Sequence, residues 1–153
     1  MSLQFMKART SDVPVLNAVS KHAFDSDVKV GASSAGGPPG YMSMKYHMKM
    51  ARSGHLYKLT ENVLNIGGAI LFPDGDTLYI SRIFVNPDHH QKGYGKRMMH
   101  EIEALFPEIK VFKLDTPAWN VRTNQFYSGL GYKEVERNQE FIYYSKKRSS
   151  QTK

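Results

Sequence analysis

Residues 89–106 read HHQKGYGKRMMHEIEALF, a short turn followed by apolar residues that recur every three or four positions. The turn contains two glycines, Gly93 and Gly95, and the stretch before it, residues 77–85, has the composition of a strand. Three cations flank the glycines: Lys92, Lys96 and Arg97. A strand that leads into a glycine turn and a helix exposes several backbone N–H groups at the positive end of the helix dipole. The stretch therefore predicts an anion-binding turn.

Two common phosphate-binding motifs do not match this turn. A P-loop needs GxxxxGK followed by Ser or Thr, but here the glycines are too close together and Arg97 follows Lys96. A dinucleotide-binding fingerprint needs a third glycine and an early place in a parallel sheet, and this stretch has neither. Turn glycines beside solvated lysines are the alternative interpretation, so the turn alone does not name its anion.

Length and composition narrow the class of protein. The 153 residues fit one domain, with 21 Lys and Arg against 14 Asp and Glu, a net charge of +7 and no cysteine. Without cysteine or an apolar run long enough for a signal core or a membrane span, the sequence predicts a cytoplasmic protein with no membrane partner. The positive charge is compatible with nucleic acid, an acidic membrane surface or a polyanionic cofactor. Part of it lies in KKRSSQTK at the end, which predicts a frayed tail.

The first third of the chain predicts a strand, a helix, a loop and an ambiguous segment. Residues 3–9 predict the strand, and residues 10–12 offer N-cap oxygens to a helix that runs to about residue 23. The glycines and prolines of residues 31–41 predict a loop. Residues 41–52 are rich in methionine and fit a strand and a helix equally well, so periodicity leaves their structure open.

The rest of the chain predicts an antiparallel meander followed by a strand, helix, strand unit and a final hairpin. The predicted strands occupy residues 55–61, 63–72, 77–85, 111–116, 132–137 and 140–147. One predicted helix follows the glycine turn and ends before Pro107, and a shorter one covers residues 120–130 and is closed by Gly131. No internal repeat or second domain is visible.

Two motifs carry a resemblance to a known family. QKGYGK (residues 91–96) matches QxxGxG, and NVRTNQFYSGLGY (residues 120–132) is similar to a second element of the same family. The chain resembles the GNAT superfamily of N-acetyltransferases. The resemblance implies an α/β (α+β) fold over residues 1–146, with a basic tail at 147–153. Its central mixed sheet would be mostly antiparallel, with six to seven strands and about four helices. The family also has helices between its first two strands, which assigns the methionine-rich segment to a second helix.

The resemblance also implies a site for acetyl-CoA. In the family the glycine turn holds the pyrophosphate of coenzyme A, the preceding strand follows the pantetheine arm, and an Asn lies near the cofactor. The implied cofactor-binding residues are Phe84, Val85, Gln91, Lys92, Gly93, Tyr94, Gly95, Lys96 and Asn120. A Tyr seven residues after that Asn faces the sulfur, which assigns the catalytic role to Tyr127. Tyr41, in the loop that borders the family's acceptor pocket, is the implied substrate-binding residue.

Acetyl transfer from a thioester to an amine needs a neutral amine, stabilisation of an oxyanion and a proton for the departing thiolate. Tyr127 could supply that proton, and a backbone N–H near Val85 could meet the oxyanion. The simpler alternatives are a packed tyrosine at 127 and a helix cap at Asn120, and the cap can coexist with a cofactor contact.

The general base is not identified by the sequence. Many family members place a Glu on the fourth strand, but TLYISRIFV has none. The pKa of histidine makes His22, His47 and His55 candidates, although a core or surface role is the simpler interpretation of each, and a water chain could also serve. Without cysteine the transfer would be direct, and the spacing of the histidines predicts no metal site.

The predicted function is acetyl-CoA-dependent transfer of an acetyl group to a primary amine of a small molecule or peptide. The basic chain would repel a polycationic acceptor unless acidic residues lie near the site. No nucleic-acid partner is expected, and pairing of the last strand could form a homodimer. The alternative is a catalytically silent module of the same fold that binds coenzyme A or nucleic acid.

Overall fold

The computed structural model describes residues 3–27, 36–89 and 92–148. Within these ranges the chain forms seven strands and four α-helices, which confirms the predicted fold class. The strands are β1 (Leu3–Lys7), β2 (Leu56–Glu61), β3 (Leu64–Asp74), β4 (Thr77–Val85), β5 (Val111–Pro117), β6 (Lys133–Arg137) and β7 (Phe141–Lys147). The helices are α1 (Val13–Asp25), α2 (Met44–Arg52), α3 (Tyr94–Leu105) and α4 (Val121–Gly129). None of the described helices is long and apolar enough to cross a bilayer.

All strands belong to one mixed sheet of order β1-β2-β3-β4-β5-β7-β6. Five of the six neighbouring pairs are antiparallel, and only β4 and β5 run parallel. The parallel pair arises because α3 carries the chain from the end of β4 back to the start of β5, as in a crossover connection. This arrangement is the mostly antiparallel mixed sheet that the family resemblance implies.

The sheet opens into a fork between β4 and β5. Their parallel register covers three pairs and ends at Tyr79 and Lys113, although both strands continue. On its other side β4 contains a bulge, because Arg82 pairs with Ile70 and Ile80 pairs with Leu71. A bulge changes the face to which the following side chains point. The second half of β4 therefore presents a different set of side chains at the fork.

Each face of the sheet has its own apolar core. The helices α3 and α4 pack on one face around Met98, Ile102 and Phe112. The helices α1 and α2 pack on the other face around Leu16 and Leu56. Ile80, before the bulge, lies in the first core, whereas Phe84, after it, lies in the second.

The methionine-rich segment is a helix, as the family resemblance implies. The helix α2 begins after Ser43, whose hydroxyl accepts a hydrogen bond of 3.0 Å from the Tyr46 backbone N–H. Such a cap satisfies one of the exposed donors at a helix start. Buried His47 and Met50 face the sheet, which explains why a helical period fits the segment.

The predicted cap of α1 is wrong in detail. The Asp12 carboxylate does not cap α1; it accepts a 2.8 Å hydrogen bond from the Arg9 backbone N–H, ahead of a short 3-10 turn. It also lies 3.0 Å from Lys58 Nζ and accepts a hydrogen bond from Asn65. These interactions lower the pKa of Asp12 even though burial alone would raise it. Asp12 therefore joins the start of α1 to the sheet.

The predicted tail begins too early. The strand β7 reaches Lys147, and the Arg148 guanidinium donates hydrogen bonds to the backbone carbonyls of Glu103, Phe106 and Ile109. It also lies 5.0 Å from the centre of the Phe112 ring. Arg148 thus joins the last strand to the end of α3. Lys147 and Arg148 therefore belong to the folded domain and not to the tail.

Candidate active site

A cleft of about 360 Å³ lies at the fork between β4 and β5. The end of β4, the glycine turn, α4 and the end of α1 form its walls. Its lining residues are Ala23, Phe24, Asp27, Ile83, Phe84, Val85, His89, Gly93, Tyr94, Gly95, Lys96, Arg122, Thr123, Phe126 and Tyr127. The cleft therefore brings together the two sequence motifs, which lie about one helix and one strand apart in the chain.

The glycine turn has the conformation that an anion site needs. Gly93 caps α3 with a φ of 78°, which is the left-handed region that favours glycine. A Cβ on Gly93 would meet nothing within 4 Å, so the missing side chain leaves open space beside the helix start. Gly95 lies in the first turn of α3, and both glycines line the cleft.

The three cations of the turn have different surroundings. Lys96 lines the cleft, whereas the Arg97 guanidinium donates a 2.9 Å hydrogen bond to Glu101 on the next turn of α3. Lys92 is exposed beside Gly93 and is not among the described residues of the cleft wall. Gln91, which the family resemblance places in the turn, lies outside the described residues.

Tyr94 holds the turn against the sheet. Its buried phenol donates a short hydrogen bond to the Glu61 carboxylate at the end of β2. The His89 ring stacks on Tyr94 with ring centres 5.9 Å apart, and His89 Nδ1 lies 3.9 Å from Glu61 Oε1. Through this hydrogen bond, the phenol of Tyr94 anchors the helix start that the glycines leave open.

The end of β4 forms one wall of the cleft. Phe84 and Val85 line it, as the resemblance implies for the strand beside the cofactor. They pair with Gly68 and Gly67 on β3, and a Cβ on Gly67 would lie only 2.6 Å from the Phe84 carbonyl oxygen. The two glycines therefore allow a close approach of β3 that fixes this wall.

Tyr127, on α4, lines the cleft. It is 8% exposed and packs against Phe126, Tyr132 and Tyr144, with ring centres 5.1 to 6.4 Å away. Burial raises the pKa of the Tyr127 phenol, and the negative charge of Asp115 raises it further. The phenol therefore keeps its proton throughout the physiological pH range and can act as a hydrogen-bond donor.

Asn120 is the N-cap of α4, as the simpler interpretation has it. Its side-chain oxygen accepts a 3.1 Å hydrogen bond from the Thr123 backbone N–H, and the residue is 2% exposed. The hydroxyls of Thr123 and Thr116 lie 2.7 Å apart, which fastens α4 to β5. Asn120 is not among the described cleft residues, and its predicted cofactor contact stays a prediction.

Tyr41 packs against α1 behind the cleft. Its phenol donates a 2.8 Å hydrogen bond to Asp25, and its backbone carbonyl accepts one of 2.7 Å from the Ser20 hydroxyl. The Phe24 ring separates Tyr41 from the cleft, since Phe24 meets Tyr41 edge to face and itself lines the wall. The predicted contact between Tyr41 and the substrate stays a prediction.

The three histidines that were candidates for the base are not among the described residues of the cleft wall. His22 is exposed on α1, 4.0 Å from Asp88. His55 Nδ1 donates to the Leu71 carbonyl at 2.9 Å, and its ring packs on Phe72. His47 is fully buried under α2, with Nδ1 2.7 Å from Asn17 Oδ1.

The buried His47 predicts a dependence of stability on pH. Burial and then the charge of Arg82 lower the pKa of His47 below its ordinary 6.5, and Nε2 has no hydrogen-bond partner among the described residues. The unfolded chain therefore binds a proton more readily, and stability falls as the pH drops below 6.5. We expect this loss, at most about 1.4 kcal/mol for each pH unit, to disappear in His47→Gln.

Urea unfolding at pH 7.5 and 5.5 measures this effect, and His22→Gln is the matched control because His22 is exposed. The wild type and the His22 variant should lose more stability on acidification than His47→Gln loses. An equal loss in all three proteins would contradict the assignment.

The sequence did not reveal the residues of the wall opposite the turn. Phe126, Thr123 and Arg122 line the cleft from one side of α4, and Phe24 and Asp27 line it from the end of α1. Arg122 Nη2 lies 3.4 Å from Asp27 Oδ1, which joins the two helices across the cleft. A sequence signal exists for α4, because Thr123 and Phe126 follow Asn120 at helical spacing.

Comparisons with known proteins agree with this geometry. The model of the Acetyltransferase (GNAT) family matches residues 36–132. The fold is similar to PaiA N-acetyltransferase from Thermoplasma acidophilum in complex with coenzyme A, with a TM-score of 0.83, 16% identity, and coverage of 97% of this chain and 100% of that one. It is also similar to the ribosomal-protein-S18-alanine N-acetyltransferase from Escherichia coli, with a TM-score of 0.74, 19% identity, and coverage of 99% and 97%.

A curated relative is YrkN from Bacillus subtilis (strain 168), an uncharacterised protein. It is 27% identical over 84 residues, which cover 53% of this chain and 45% of YrkN. The match thus spans less than half the length of that relative.

Proposed function

Because this chain belongs to the GNAT acetyltransferase family, whose members are acyltransferases that use acetyl-CoA, we propose that it transfers an acetyl group directly to a primary amine. The acceptor would be a small molecule or a peptide. One observation carries the proposal: the glycine turn and Tyr127 line the same cleft. A polyanionic tail and a reacting thioester need these two kinds of environment in one site.

The residues of the cleft fit this cofactor. Gly93 carries no Cβ, the space beyond it is open, and the start of α3 is the positive end of a helix dipole, so a pyrophosphate can approach the backbone there. Lys96 adds charge, and Phe84 and Val85 offer a mostly apolar wall for a pantetheine chain. When bound, acetyl-CoA supplies an activated acetyl thioester.

The protein would contribute position, a proton donor and backbone hydrogen bonds. Tyr127 keeps its proton because burial and the charge of Asp115 raise its pKa, so it can donate a hydrogen bond to a developing thiolate. A thiol has an ordinary pKa of about 8.5, below that of any such phenol, so stabilisation by the hydrogen bond is more favourable than complete proton transfer. Because the sequence contains no cysteine, no acetyl-cysteine intermediate can form, and the proposed mechanism transfers the acetyl group directly to the amine.

Lys96 is expected to bind the cofactor and Arg97 is not. We expect Lys96→Ala to weaken coenzyme A binding about tenfold, because a charge-assisted hydrogen bond to phosphate contributes about 1.5–3 kcal/mol. Arg97→Ala removes the same charge from the same turn, but Arg97 is already bonded to Glu101. Calorimetric titration with coenzyme A at two salt concentrations measures both variants. Equal losses would show that only general charge matters.

Thiol release from acetyl-CoA, measured against small amines, amino acids, aminoglycosides and peptides with free N-termini, tests the proposed function. Peptides are included because one protein of similar fold bears the name ribosomal-protein-S18-alanine N-acetyltransferase. Release that depends on an acceptor supports the proposal. Binding of acetyl-CoA with no release across the whole panel would favour the silent binding module instead.

A further inference from the structure

A carboxylate lies at the fork on the face of the sheet opposite α3 and α4. Asp115 is two residues beyond Lys113, where the register of β4 and β5 ends. Along β5 its neighbours Leu114 and Thr116 are buried, whereas Asp115 is partly exposed, so it points to the other face. Tyr143 on β7 is its partner in the register. The family resemblance implies an acid on the fourth strand, whereas this carboxylate lies on the fifth.

Tyr79 holds this carboxylate. The phenol of Tyr79, the last β4 residue in register with β5, donates a 2.8 Å hydrogen bond to Asp115 Oδ2 across the fork. None of the described residues donates a hydrogen bond to Asp115 Oδ1. The carboxylate is therefore fixed by one oxygen and can accept a donor on the other.

Asp115 lies beside the cleft, although it is not among the described residues that line it. The next residue, Thr116, has its hydroxyl 2.7 Å from that of Thr123, which does line the cleft. The charge of Asp115 also helps to raise the pKa of Tyr127. Arg82 on β4 is a cation whose charge acts on Tyr79. The Arg82 guanidinium donates a 2.9 Å hydrogen bond to the Pro39 carbonyl and lies over the Tyr46 ring. Arg82 is thus engaged with the loop and with α2 rather than with Asp115.

We propose that Asp115, held by Tyr79, binds the cationic nitrogen of the acceptor amine at the fork. This inference rests on the proposed function and adds the acceptor's recognition to it. The chain carries a net charge of +7, which repels ammonium groups in general, so an ammonium acceptor needs a local carboxylate at the reacting end. The acceptor class that fits is a primary amine that arrives protonated, with no carboxylate beside the nitrogen.

The proton balance is consistent with this placement. An ammonium acceptor gives up two protons, one to expose its lone pair and one after the C–N bond forms. As the C–S bond breaks, the sulfur takes up one proton, and the other is released to solvent. Asp115 is placed to accept protons from the nitrogen and to pass them to water, since it is partly exposed.

Two coenzyme A thioethers test the inference without knowledge of the natural acceptor. S-(2-aminoethyl)-coenzyme A carries an ammonium at the end of a short ethylene arm on the sulfur. S-propyl-coenzyme A has a similar shape without the charge. Calorimetry on the full chain should show that the wild type binds the aminoethyl probe about tenfold more tightly. Asp115→Asn should remove this preference and leave affinity for the propyl probe unchanged, because Asn can still accept the Tyr79 hydrogen bond.

Two more variants complete the test. Tyr79→Phe leaves the carboxylate in place but unheld, so the preference should fall about threefold. Asp74→Asn makes the same change of charge at the exposed end of β3 and should keep the full preference. A preference that survives Asp115→Asn, or a wild type that binds both probes equally, overturns the inference while coenzyme A binding stands. A wild type that binds neither probe overturns the proposed function as well.

Discussion

Gly67→Ala is expected to lower the free energy of unfolding by about 3 kcal/mol, the upper part of the range for overpacked sites. The added Cβ would lie 2.6 Å from the Phe84 carbonyl oxygen, and 3.4 Å from the Val85 Cα. Both are backbone atoms of the neighbouring strand, so no rotation of a side chain can relieve the contact. The strand β4 would have to move away from β3.

Thermal unfolding measures this effect, and a loss of about 3 kcal/mol corresponds to a melting temperature about 6–12 °C lower in a domain of this size. Because β4 forms a wall of the cleft, affinity for coenzyme A should fall in the same variant. Gly129→Ala is the matched control, since its Cβ would meet nothing within 4 Å and Gly129 ends a helix. It should be as stable as the wild type or slightly more stable. Equal melting temperatures for both variants would refute the close approach of β3 and β4.

The fold was predictable because its local signals agree with one another. Alternation along Val111–Pro117 matches the buried and partly exposed faces of β5 residue by residue. The glycine at 93 has the positive φ that its place before a helix indicates. The methionine-rich segment was the exception, because its apolar residues fit both the two-residue period of a strand and the period of a helix. Only contact with the sheet, through His47 and Met50, selects the helix.

The candidate site was predictable where a residue type has one obvious use. The glycines and lysines of the turn could be named from the residues themselves, whereas Tyr127 was implied only by the family resemblance. The fork could not be, because it depends on where the pairing of β4 and β5 stops. No residue in either strand marks that point, so the meeting of Tyr79 with Asp115, 36 positions apart, is visible only in three dimensions.

The α1 wall of the cleft illustrates the same limit. Phe24 stands just past the end of the first predicted helix, where the sequence marks it as no more than an apolar residue, yet it packs on Phe84 and lines the cleft. The family resemblance implies Tyr41 for the substrate instead, and the Tyr41 phenol is bonded to Asp25. A sequence shows which side chains are apolar or reactive, whereas the residue that reaches a cleft depends on how two helices cross.

Tyr127→Phe is expected to reduce kcat for acceptor-dependent acetyl transfer by about 10² to 10³, the range for loss of one hydrogen-bond donor to a charge that develops in the transition state. Tyr127 lines the cleft, and the raised pKa of its phenol ensures that it carries its proton at neutral pH. The ring itself stays, so its contacts with Phe126 and Tyr144 are kept. Affinity for acetyl-CoA and the melting temperature should therefore change little.

Tyr132→Phe is the matched control for this prediction. Tyr132 packs beside Tyr127 with ring centres 6.0 Å apart and is almost fully buried, but it is not among the described residues of the cleft wall. Both substitutions remove one hydroxyl from the same aromatic cluster, so a shared structural effect would lower kcat in both variants. A loss confined to Tyr127→Phe assigns the effect to the Tyr127 hydroxyl. An unchanged kcat in Tyr127→Phe would mean that the departing sulfur needs no hydrogen bond from Tyr127, and that Tyr127 serves only to pack α4 on the sheet.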